Sequence, residues 1–121
     1  MNQNFLGYLQ QEQERCLQNQ KQLMADERKD EANFCKIEAN IYEIFGVLYQ
    51  TSWKQAVDKG ADEAEAQRLF LEKAKTIPQN WQKNYEKAKE YHDTEKILIE
   101  EIKLQAVEKI MHTYHNMQEI R

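Results

Sequence analysis

Apolar residues keep to one side of a helical wheel from Phe5 to Trp53, and nothing along the way resets their phase. At about 100° per residue, Phe5, Leu9, Cys16, Leu23, Phe34, Ile41, Phe45 and Tyr49 fall within one half of the wheel. A helix break normally shifts such a stripe, and no proline interrupts this one. The pattern therefore predicts a single helix over residues 5–57, about 75 Å long at 1.5 Å per residue. "VDKG" closes it, with Lys59 favourable in the last turn and Gly60 as a left-handed stop. Only three Gly and one Pro occur in 121 residues. So few turn-formers predict long helices rather than strands joined by tight turns.

The two halves of that long helix differ. From Phe34 to Trp53 the apolar arc is broad and aromatic, as for a helix covered by several neighbours. From Leu6 to Asp30 it is narrow. In heptad terms Leu6, Gln13, Gln20 and Glu27 make one row, and Leu9, Cys16, Leu23 and Asp30 make the other. This is a weak coiled-coil seam, polar at half of its positions. The expected organisation is a projecting arm over residues 1–30 and a helical core over 31–121. The arm would offer Leu6, Leu9, Cys16 and Leu23 as an interface.

Asp62 opens a second helix, with Glu65 three residues on as in a capping box. Ala66, Phe70, Ala74 and Ile77 form its face. Pro78 disfavours helix at Ile77 and starts a helix well, so "TIPQ" reads as a break. A third helix follows, with Trp81, Tyr85 and Ala88 buried. Asp93 or Thr94 can cap a fourth, running from Thr94 to about Ile120 with a wide apolar arc. The fold expected is an all-α antiparallel bundle with a very long first helix. Four helices are favoured, because an unbroken rod through His92 would overshoot its packing partners. Three result if the last two are continuous.

The formal charge of −4 disfavours a general attraction to nucleic acid or anionic lipid. The basic stretch around Lys83, Lys87 and Lys89 interleaves Trp81 and Tyr85, but their helical spacing turns the rings inward. No run approaches the roughly 20 apolar residues of a membrane span. The N-terminus lacks the pattern of a signal peptide. These features predict a cytoplasmic protein without nucleic-acid or membrane partners. On one straight helix Cys16 and Cys35 would stand about 28 Å apart, which excludes a disulfide between them.

Glu108, His112, His115 and Glu119 are spaced four, three and four apart and stack on one helical face. Two imidazoles flanked by carboxylates suit a transition metal. That face lies opposite Ile110 and Met117 and lacks a second wall, so an exposed polar face is the favoured reading. Glu38 sits amid Phe34, Ile41 and Phe45 and needs a partner; Lys73 or Lys103 could reach it from a neighbouring helix. His92 reads as a capping or packing residue. No phosphate loop, nucleophile elbow or zinc-protease motif is present. The sequence thus predicts a non-catalytic interaction or assembly module without a cofactor, pairing as a homodimer or with a partner's helix. The alternative is a bundle that binds a small ligand or a metal.

Overall fold

A computed structural model of the chain describes residues 1–119, with side chains through Gln118. The architecture is an all-α bundle of four helices: α1 Gln3–Ala25, α2 Lys29–Asp58, α3 Glu63–Glu90 and α4 Thr94–Glu119. Short connections make each helix antiparallel to the one before it. α2 is the central element and packs against all three others, whereas α1 barely meets α4. None of the described helices is long and apolar enough to cross a membrane.

The three turns are built alike. Glu27, Gly60 and His92 have φ of 61°, 69° and 53°. In each turn this left-handed residue donates its N–H to the carbonyl three residues back. The next residue donates to the carbonyl five back: Arg28 to Leu23 at 2.8 Å, Ala61 to Ala56 at 2.8 Å, and Asp93 to Ala88 at 2.9 Å. This paired closure satisfies the last helical carbonyls and reverses the chain. New helices then start on side-chain caps. Asp62 Oδ1 accepts from the Glu65 N–H at 3.2 Å, and Asp93 Oδ1 from the Lys96 N–H at 3.2 Å. Asn2 caps α1 by accepting from the N–H groups of Asn4 and Phe5.

Two expectations are corrected here. The helix expected over 5–57 breaks at Asp26–Arg28, so the N-terminal helix has 23 residues. Residues 1–30 do not project; α1 folds back along α2, with Phe5, Leu9 and Cys16 at most 1% exposed. A stripe can keep its phase through such a turn by coincidence, because each arm of a helical hairpin must present apolar residues to the other. Conversely, Pro78 lies inside α3 and does not end it. Its ring removes one backbone hydrogen bond at a cost of about 3 kcal/mol. Ala66, Phe70 and Ala74 before it and Ala88 after it are all buried, so packing holds both halves of α3 in one rod. The break expected at His92–Thr94 is present.

The core gathers at the end of the bundle where α1 starts and α4 finishes. Phe5, Tyr49, Phe70 and Tyr114, one ring from each helix, are mutually in contact. Their six centroid separations run from 4.9 Å (Phe5–Tyr49) to 6.5 Å (Tyr49–Tyr114). Most pairs meet edge to face, the arrangement that ring quadrupoles favour. The Asn2 N–H donates to the Tyr49 hydroxyl at 2.8 Å, which ties the start of α1 to α2.

Glu27, like His92, bears a cost that Gly60 does not. A side chain in the left-handed region costs about 1–2 kcal/mol, and glycine would return part of that as backbone entropy. Glu27→Gly should therefore stabilise the protein by about 0.5–1 kcal/mol, read as a higher urea midpoint with an unchanged slope. A lower midpoint would mean that the Glu27 side chain supports the turn.

Candidate functional site

The α1–α2 hairpin carries the residues expected to form an interface, and it presents them inward. Leu6 is 8% exposed, Leu9 and Cys16 1% each, and Leu23 is half-buried. Their heptad row is real, but its partner is α2 of the same chain.

Beside this used seam lies a second one. Leu6, Gln10, Gln13, Leu17, Gln20 and Met24 follow each other at intervals of four and three. That is the spacing of paired core positions in a coiled coil. It shares the Leu6–Gln13–Gln20 row with the inner seam and adds Gln10, Leu17 and Met24, which look away from the core. Leu17 is 38% exposed and Met24 50%. No charged residue stands in the stripe. Across a shallow groove, α2 contributes Glu43, Gly46, Val47 and Gln50. A methyl group added at Gly46 would meet nothing within 4 Å, so the chain's own packing does not require a glycine there. Glycine within a helix costs up to about 1 kcal/mol relative to alanine, and here it keeps the groove open. Sequence reading passed over this stripe because glutamine on a helix reads as solvent-facing. The seven-residue step from Leu17 to Met24 was the available signal.

Further down the hairpin, Glu38 finds its partner on α1. The Arg15 guanidinium donates to Glu38 Oε2 at 3.1 Å and to Glu12 Oε2 at 2.8 Å. The expected lysines are engaged elsewhere: Lys73 donates to Gln55 Oε1 at 3.0 Å and Lys103 to Glu100 Oε1 at 3.3 Å. Folding α1 back is what brings Arg15 within reach. Burial, with Glu38 adding to it, pushes the Cys16 thiol up to about 12. Cys35 is shifted in the same direction, again by burial first and Glu38 second, while Arg15 opposes the shift at both thiols.

The other candidates lie apart. Glu108, His112 and His115 are exposed on α4, and the side chain of Glu119 lies outside the described residues. His112 Nε2 shares a hydrogen bond with the Asn116 amide at 3.1 Å. Among the described residues no three His, Cys, Asp or Glu side chains are arranged to hold a metal ion. His92 is exposed and forms the left-handed stop of α3. Trp81 packs against the core, with the Lys103 ammonium 5.7 Å from its ring. Tyr85 donates its hydroxyl proton to Glu101 Oε1 at 3.1 Å.

A cavity of about 600 Å³ opens between α3 and α4, with Ala88, Ile99 and Glu100 among its lining residues. Glu100 Oε2 is closed to solvent and has no hydrogen-bond partner among the described residues. The vacant acceptor is thus sealed off from molecules entering the cavity, which weakens a ligand reading there.

In comparisons with known proteins, the chain matches no family model, no curated protein and no solved structure.

Proposed function

We propose that the protein is a non-catalytic helical assembly module that pairs with a second copy of itself through the outer seam of α1. The observation that supports this most is the uninterrupted four-three stripe from Leu6 to Met24, left uncovered at Leu17 and Met24 and bordered at its Leu6–Gln13 end by an open groove at Gly46. A two-fold pair brings the same patch to both sides of the contact. A charged stripe would repel its copy in that geometry, whereas glutamine, leucine and methionine do not.

Magnitudes make the contact reversible. Burying an apolar side chain of this size is worth about 1.5–3 kcal/mol. Association must first overcome about 4–15 kcal/mol of lost rigid-body freedom. Two apolar side chains per copy leave little surplus, and the glutamines fix register more than they add strength. Sedimentation equilibrium from low micromolar to millimolar protein should show a monomer that becomes a dimer toward the top of the range. Leu17→Glu with Met24→Glu should keep the protein monomeric throughout without lowering its unfolding midpoint, since both side chains lie outside the core. A wild-type protein that is still monomeric at millimolar concentration would end the self-pairing proposal.

A further inference from the structure

The contacts between α1 and α2 descend the hairpin in regular order. Asn2 and Phe5 meet Tyr49, Tyr8 meets Tyr42, and Arg15 meets Glu38. Cys16 follows Arg15 directly, and Cys35 lies one helical turn from Glu38 on the descending side. The same progression therefore brings the two cysteines to one level of the hairpin. Each thiol is also within electrostatic reach of the same Arg15–Glu38 ion pair, and a Cys35 thiolate would oppose ionisation of Cys16. The 28 Å separation expected on a straight helix disappears once the chain turns at Glu27. Cys16 is 1% exposed and Cys35 is partly exposed, so an external reagent meets Cys35 first.

We propose that Cys16 and Cys35 form a thiol–disulfide modification site, in which a low-molecular-weight disulfide reacts at Cys35 and Cys16 completes a cross-link between α1 and α2. Oxidised glutathione serves as the oxidant. The Cys35 thiolate attacks one of its sulfurs, the glutathione S–S bond breaks, and one glutathione thiolate leaves. The Cys16 thiolate then attacks the Cys35 sulfur and displaces the second glutathione. Two protein thiols are oxidised, one glutathione disulfide is reduced to two thiols, and the protein's thiol protons pass to the solvent or the leaving thiolates. The thiolate is the reacting form. Burial and Glu38 hold both thiols largely protonated near neutral pH, so the reaction is slow and quickens as the pH rises.

The test is incubation of the native, full-length protein with oxidised glutathione, followed by mass spectrometry. The expected product has lost two hydrogens, retains no glutathione, and yields a tryptic peptide pair joining residues 16–21 to 30–36. Its thermal midpoint should rise by roughly 5–10 °C, because the cross-link restricts the unfolded chain. Cys16→Ala should stop with one glutathione on Cys35, and Cys35→Ala should stay unmodified while folded. Glu38→Gln should speed cross-linking several-fold by removing the charge that opposes both thiolates; Arg15→Gln should slow it. Wild-type protein that ends with glutathione on Cys35, or with disulfides only between chains, would overturn the proposal. So would a cross-link that forms only under denaturing conditions.

Discussion

Phe70→Ala should destabilise the protein by about 3–5 kcal/mol, the range for removing a large aromatic from a closed core. Phe70 has no exposed surface, and its ring lies 5.9, 6.4, 5.2 and 5.1 Å from those of Phe5, Phe45, Tyr49 and Tyr114. It thus touches a ring from every other helix. Alanine leaves a void that three other helices would have to close together, and rigid helices relax only partly. Each lost ring pair adds about 0.5–1.5 kcal/mol beyond the area term, although such pairs do not add independently. Domains of this size hold about 5–15 kcal/mol in total, so the variant will stand near the limit of folding. Leu71→Ala is the control. Leu71 is the next residue on α3 but is 37% exposed, and its loss should cost less than about 1 kcal/mol. Urea unfolding followed by circular dichroism measures both. Equal losses at Phe70 and Leu71 would contradict a core organised by the ring cluster.

The same cluster shows why helix count was legible while helix boundaries were not. All three turns use one left-handed closure, but they advertise it differently. Gly60 is the residue type that the conformation favours, and it stands directly before the Asp62 cap. His92 is less expected, yet Asp93 and Thr94 behind it signal a new start. Glu27 has neither aid. Its side chain is unsuited to the conformation, and Arg28 gives α2 no side-chain cap. The turn closes through the same backbone hydrogen bonds as the others, and the packing of α1 against α2 favours it where the residue types do not. Pro78 is the opposite case, a strong local breaker overruled by the buried residues on either side of it. One break too many and one too few left the number of helices at four.

The candidate site was legible in part for a related reason. The seam of Leu9, Cys16 and Leu23 was visible in the heptads, and its weakness suggested that it needed a partner. With residues 5–57 read as one helix, α2 could not be that partner, and a second molecule was the remaining choice. The same assumption separated Cys16 from Cys35 and sent Glu38 to distant lysines. A single unseen turn thus accounts for the interface residues, the cysteine pair and the ion pair together. The histidines on α4 do not depend on that turn; among the described residues no three His, Cys, Asp or Glu side chains are arranged to hold a metal ion.

Deleting residues 2–24 should abolish cooperative folding. Phe5, Leu6 and Leu9 are buried against α2, and each contributes about 1.5–3 kcal/mol of burial. Their removal alone withdraws roughly 5–9 kcal/mol. It also uncovers the side of α2 that bears Ala39 and Tyr42 and takes Phe5 out of the ring cluster. A loss of that size is comparable to the whole stability of a domain of this length. The truncated chain should therefore keep helical circular dichroism, lose its sharp urea transition, and bind an apolar dye through the exposed face of α2. A projecting arm predicts the reverse: the remainder keeps the parent's unfolding midpoint and only self-association is lost. Leu17→Glu with Met24→Glu separates the two roles of α1, because it charges the outer seam and leaves the inner one whole. If the truncated chain unfolds at the parent's urea concentration, α1 is dispensable to the core. If it loses its transition while the double variant keeps it, the inner face of α1 belongs to the fold and its outer face is free to pair.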